Sequence, residues 1–175
     1  WRSAFSVWAA EDPHRRAFAV LYSARSVEIF RNLNPAEPSA DETPNRDQYA
    51  QFLTRRCVGC HATQTPADSV ESLLDGVTCA SCHAQPAGWR EGHYLVHWPP
   101  ASDPELATLI KSLAASNLRT RAAICAACHV GPQRVGDQVY DVTHDLIAAG
   151  HPRMAFEFAT YLANFPKHWN AAADQ

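Results

Sequence analysis

The residues able to do chemistry are concentrated in one pentapeptide that occurs three times: Cys57-Val58-Gly59-Cys60-His61, Cys79-Ala80-Ser81-Cys82-His83 and Cys125-Ala126-Ala127-Cys128-His129. Each reads C-x-x-C-H, the spacing used for covalent attachment of c-type haem. Two thiols so placed can add to the two vinyl groups of one porphyrin. The histidine that follows is then held beneath the iron as its proximal ligand. Cys57, Cys60, Cys79, Cys82, Cys125 and Cys128 are all the cysteines of the chain, and none is left over. Three disulfides would leave the histidine after every second cysteine unexplained. Zinc bound by pairs of C-x-x-C units would leave one pair over. A thioredoxin-like redox site would occur once, at the start of a helix after a strand.

Each iron held beneath His61, His83 or His129 has a second face, and its occupant decides the chemistry. Methionine would raise the potential, but Met154 is the single methionine in the chain. The histidines outside the motifs are His14, His93, His97, His144, His151 and His168. Bis-histidine ligation is therefore the economical reading, giving low potentials and saturated irons suited to electron transfer. His14, His144 and His151 are the expected distal ligands. His14 and His151 each lie beside a proline at an expected helix start, where a side chain can project from the helix end. The plainer reading of His14 is a solvated residue in a first helical turn. His93 and His97 lie among Trp89, Tyr94 and Trp98, where they serve as ligands, donate to propionates or face solvent. Each ligand should carry a hydrogen bond on its other ring nitrogen, and Asp12, Asp141 and Asp145 are nearby in sequence.

The elements that must position these groups read as mostly α with long loops. Residues 2–10 predict a short helix. Asp12-Pro13 opens a helix that runs to about Asn32. Residues 34–45 read as loop, and Asn45 with Gln48 resembles a capping box for a helix running into the first motif. Thr65-Pro66 starts a short helix stopping at Gly76. The closeness of Cys57 and Cys79 in sequence suits two haems in contact on one hairpin of chain. Residues 84–103 predict an aromatic loop, and Asp103-Pro104 opens another helix. A further helix, about 117–128, delivers the third motif. Gly131, Pro132 and Gly136 mark a loop, His144 begins a stretch ending at Gly150, and His151-Pro152 starts the last helix. No strand is expected.

At 175 residues the chain fits one domain, 1–175, with a core built around three covalent haems. Its formal charge of −3 argues against nucleic acid, which asks for a basic face. No apolar run approaches membrane-spanning length. The sequence begins at Trp1 without methionine or signal peptide. Covalent haem is attached outside the cytoplasm, so a signal removed from this numbering, or outside it, is expected. The expected location is periplasmic or extracellular. No nucleotide loop and no convincing Ser–His–Asp set is present.

The order Trp8…Asp12-Pro13-His14, then Cys57 to His61, then Gly76-Val77-Thr78-Cys79-Ala80-Ser81-Cys82-His83, then Cys125 to His129, resembles multihaem cytochromes of the cytochrome c-554 type. The tail His144-Asp145-Leu146-Ile147-Ala148-Ala149-Gly150-His151-Pro152-Arg153 resembles a segment of related multihaem cytochromes. The resemblance implies electron transfer outside the cytoplasm through stacked and perpendicular haem pairs. By matching position it implies that His14 is a distal ligand and that His93 partners a first haem. The chain departs from that pattern in lacking a fourth C-x-x-C-H.

The sequence thus reads as an electron carrier with three covalent haems c, passing electrons to redox partner proteins. If His93 is left over by its own irons, its aromatic loop would meet a haem edge of a neighbouring copy and build a homo-polymer, a haem-wire filament. The alternative is a haem enzyme, with one five-coordinate iron acting on a small nitrogen oxide, hydroxylamine or peroxide.

Overall fold

The computed structural model describes residues 4–35, 44–63, 73–83, 118–152 and 156–164. Within them the chain is helical, with one two-stranded sheet. The loop carrying His93 and His97, the helix expected from Asp103-Pro104, the Thr65-Pro66 helix start, Met154 and His168 lie outside the described residues.

Helix α1 spans Ala4–Glu11 and buries Val7 and Trp8. Asp12 then caps a 3-10 turn, Pro13–Arg16, with Pro13 in its first turn. A second 3-10 turn, Ala19–Tyr22, follows. The single helix expected from Asp12 to Asn32 is therefore broken into three pieces. Ser23, in extended backbone, resets the chain and caps α2, Ala24–Leu33. Its hydroxyl accepts from the Ser26 amide, and the Ser26 hydroxyl donates back to the Val20 carbonyl at 2.7 Å. Serine competes with helix continuation in this way, and apolar periodicity alone does not reveal it.

Asn45 caps α3, Arg46–Arg56, accepting from the amides of Asp47 and Gln48. The chain turns at Cys57 into α4, Val58–His61. Helix α5 is Cys79–His83 and α6 is Leu118–His129, so each motif lies at or near a helix C-terminus. After α6 comes an antiparallel hairpin, β1 (Gln133–Val135) with β2 (Gln138–Tyr140), pairing Gln133 with Tyr140. The absence of strands expected from sequence is thus corrected. The signal was the two-residue turn Gly136-Asp137, with Gly136 at φ +57°, but each strand is only three residues long and half polar. Helix α7 is His144–Ala148, capped by Thr143, and α8 is Phe158–Asn164. The last helix begins later than His151-Pro152, where Glu157 accepts from the amides of Ala159 and Thr160.

The main core joins the second 3-10 turn, α2, α3 and α4 through Phe18, Leu21, Phe30, Tyr49, Leu53, Val58 and Ala62. A smaller cluster seats α7 on α2 through Ile29, Leu146 and Ala149, and Phe52 packs against both. Phe30, Tyr49 and Phe52 form an aromatic set with ring centres 5.2–6.3 Å apart, a geometry that adds to simple burial. The N-terminal segment is clamped to the entry of the second motif. Trp8 Nε1 donates to the Val77 carbonyl at 3.0 Å, and the Val77 amide donates to the His14 carbonyl at 3.0 Å. Gly76, at φ +68°, sits so close to the His14 and Arg15 carbonyls that a side chain there would collide with backbone.

The hairpin docks on the first motif through Gly59. Tyr140 lies across it, with its hydroxyl donating to the Thr54 carbonyl at 2.9 Å, and a methyl at Gly59 would overlap the Tyr140 ring. Gly59→Ala is expected to lower stability by about 1–3 kcal/mol through overpacking. Combining it with Tyr140→Ala should recover part of that loss. Urea unfolding of the two variants checks this, and equal stability of Gly59→Ala and the parent would contradict it.

Candidate haem-binding site

The three motifs converge. The exit of the first and the entry of the second are tied together. The Thr63 amide donates to the Gly76 carbonyl, the Thr63 hydroxyl takes the Thr78 amide at 2.7 Å, and it meets the Ser81 hydroxyl at 2.6 Å. The first motif also faces the third, because the Cys60 and Cys128 thiols are hydrogen-bonded. Helix α5 packs on α6, bringing the second motif to the third as well. No disulfide joins any two of the six cysteines. Burial, and then the neighbouring Cys60, pushes Cys57 up to about 12. The hydrogen bond with Cys60, and then burial, raises Cys128.

The histidines fall into pairs. His61, at the end of α4, points Nδ1 at the Ala17 carbonyl, 2.8 Å away. That carbonyl belongs to the break between the two 3-10 turns. With Nδ1–H donated there, Nε2 is left with its lone pair. His151 repeats the arrangement, donating Nδ1–H to the Pro152 carbonyl at 2.9 Å. The rings of His61 and His151 are 6.3 Å apart, centre to centre, with planes at 88°. A second pair is His14 and His129, with centres 6.0 Å apart and planes at 82°. His14 Nδ1 donates to Asp12 Oδ1 at 2.8 Å, and its Nε2 accepts from the Tyr161 hydroxyl at 3.3 Å. His129 is stacked on Phe156 and lies edge-on to Tyr161. Its Nδ1 is buried without a hydrogen-bond partner among the described residues.

These separations test whether the residues fit a haem. An imidazole ring with bonds of about 1.35 Å has its nitrogens roughly 1.15 Å from its centre, and a metal–imidazole bond is about 2 Å, so two imidazoles facing across one metal have centres about 6.3 Å apart. Both pairs meet that spacing, each joining a motif histidine to one from a distant part of the chain. His83 ends α5 half-buried, and His144 begins α7 exposed. Among the described residues, no cluster of three or more His, Cys, Asp or Glu side chains could hold a bare metal ion.

Residues 2–84 match the cytochrome c554 and c-prime family. That match supports a c-type cytochrome. The stretch it covers holds the first two C-x-x-C-H motifs, His14 and the Trp8–Val77 clamp. Such a family carries covalently bound haem c and transfers electrons through it. Neither the curated proteins nor the solved structures give a match. Among the described residues no helix is long and apolar enough to cross a membrane.

His151 is placed by the end of α7. Gly150, at φ +114°, is the left-handed residue after the helix, and the His151 amide reaches back to the Leu146 carbonyl at 3.0 Å, the wide closing bond of a Schellman turn. A side chain at Gly150 would find ordinary room beside Ile29 at 3.6 Å, so the cost of Gly150→Ala is backbone strain of about 1–3 kcal/mol. That variant is expected to unfold earlier on heating and to loosen His151. An unchanged melting temperature would contradict it.

Burial lowers His61, His129 and His151 below the ordinary histidine value, with His14 adding to the shift at His129. The rings are therefore neutral near pH 7, as a ligand must be. The unfolded chain binds protons that the folded chain refuses. Stability is thus complete above the ordinary value of about 6.5 and is lost as pH falls through the lowered folded values. The urea midpoint should drop between about pH 7 and about pH 5, where a carboxylate-only response would still be small. A flat profile over that range would contradict the assignment.

Proposed function

We propose that the chain is one electron-transfer domain, residues 1–175, holding three haems c outside the cytoplasm. The cysteines Cys57 and Cys60, Cys79 and Cys82, and Cys125 and Cys128 form the thioether bonds. His61, His83 and His129 are the proximal ligands. The observation that carries this reading is the pairing of His61 with His151 at 6.3 Å and of His129 with His14 at 6.0 Å, both with perpendicular rings. Of the described histidines, His144 is the one left for the His83 iron.

When bound, each haem supplies one-electron redox chemistry. The chain's own part is to hold two neutral imidazoles across each iron, leaving no face for substrate. The ties between the first and second motifs, the Cys60–Cys128 contact and the packing of α5 on α6 support electron exchange among all three haems.

Intact mass after denaturation should exceed that of the polypeptide by three haems. The ferric protein should be fully low-spin, and the perpendicular axial rings should give a strongly anisotropic electron paramagnetic resonance signal for two haems. His151→Ala and His14→Ala should each convert one haem to a form that binds carbon monoxide. A parent protein that already binds carbon monoxide at one iron would sink the carrier reading and favour a haem enzyme acting on a small nitrogen oxide or peroxide.

A further inference from the structure

The hydrogen-bond partners behind the paired histidines are not equivalent. His61 and His151 each donate Nδ1–H to a neutral backbone carbonyl, of Ala17 and Pro152. His129 has no partner for Nδ1 among the described residues. His14 alone of the four donates to a carboxylate, Asp12 Oδ1, at 2.8 Å. Asp12 is only 8 % exposed, the single buried polar or charged residue among those described. The same oxygen also accepts the His14 backbone amide at 2.9 Å.

A buried carboxylate on the far nitrogen of a ligating imidazole acts in two ways. It draws the Nδ1 proton toward itself, which makes Nε2 a stronger donor to the metal. It also places a negative charge near the iron, where burial weakens solvent screening. Both effects favour the ferric over the ferrous state. Reduction adds one electron to the iron, and the proton stays between His14 and Asp12, so no bond is made or broken. Resting on the ligand pairs proposed above, we infer that Asp12 is a positioning residue that sets the potential of the His14–His129 haem below that of the His61–His151 haem.

Asp12→Asn isolates the charge, because asparagine keeps the oxygen that caps the turn and can still accept from Nδ1–H. The test is spectroelectrochemical titration of the three-haem protein beside Asp12→Asn and Asp12→Glu. In Asp12→Asn one wave should move upward by tenfold or more in its ferric–ferrous equilibrium, about 59 mV for one electron, with the others unmoved. Asp12→Glu, which keeps the charge, should stay near the parent. Independently of how these variants fold, the parent wave altered by His14→Ala must lie below that altered by His151→Ala. The inference is overturned if that order is reversed, if no wave moves in Asp12→Asn, or if Asp12→Glu moves as far as Asp12→Asn. Fewer than three haems by mass, or a fully low-spin His14→Ala protein, would instead overturn the ligand reading beneath it.

Discussion

An imidazole offers a lone pair in a fixed direction only when its other nitrogen is tied down. Much of this fold can be understood as the supply of those ties. The Ala17 carbonyl is free to receive His61 because the chain between Pro13 and Tyr22 runs as two short 3-10 turns. Had the helix continued unbroken, that carbonyl would have been taken by an amide four residues on. In the proposed ligation, the break at Ala17 and Phe18 is thus a condition for orienting His61. Gly150 does comparable work at the other side of the same pair. Its left-handed backbone closes α7 and turns His151 toward the exit of α4.

The same constraint explains why the N-terminal segment is held so firmly. In the proposed ligation, His14 meets His129 from a distant part of the chain. Trp8, Val77 and the close approach of Gly76 lock residues 8–15 against the second motif. Arg15 adds a hydrogen bond to the Leu74 carbonyl at 2.9 Å and lies over the Trp8 ring. Its ion pair with Asp75 is solvent-exposed and contributes little beside these contacts. The α2–α3 core, by contrast, is ordinary aromatic and aliphatic packing, and it serves as the platform from which α3 delivers the first motif.

What was legible in the sequence divides by the range of the interaction. The Asn45 cap, the helix delivering Cys125 and the stop at Gly150 are local patterns, and the structure has them where the residues suggested. The break at Ser23 was hidden because Phe18, Leu21, Ile29 and Phe30 fit one helical face closely enough to mask it. The hairpin was missed because Gln133–Val135 and Gln138–Tyr140 are too short to show alternation. Which histidine meets which was beyond reach, since each pair joins segments with no sequence relation. Backbone carbonyls such as Ala17 and Pro152 carry no side-chain signature at all. Nothing in the sequence marks Gly59, and only the Tyr140 ring lying across it gives that position its meaning.

Asp12-Pro13-His14 shows how much one local unit can carry. Proline fixes the backbone angle at the first position of the turn, and Asp12 in extended backbone turns its side chain back over that turn. One carboxylate oxygen then receives both the amide and the ring of His14. The cap that starts the turn and the tie that orients the ring are therefore the same atom. Loss of the cap would cost about 1 kcal/mol. Both hydrogen bonds end on a charged acceptor, which makes each roughly twice as strong as a neutral one. Burial of Asp12 is tolerable because His14 supplies both donors to that oxygen. In the proposed ligation, ligand orientation and turn capping therefore depend on one residue. A glutamate or serine in its place could satisfy only part of that demand: glutamate keeps the charge but reaches past the amide, and serine keeps the cap but loses the charge.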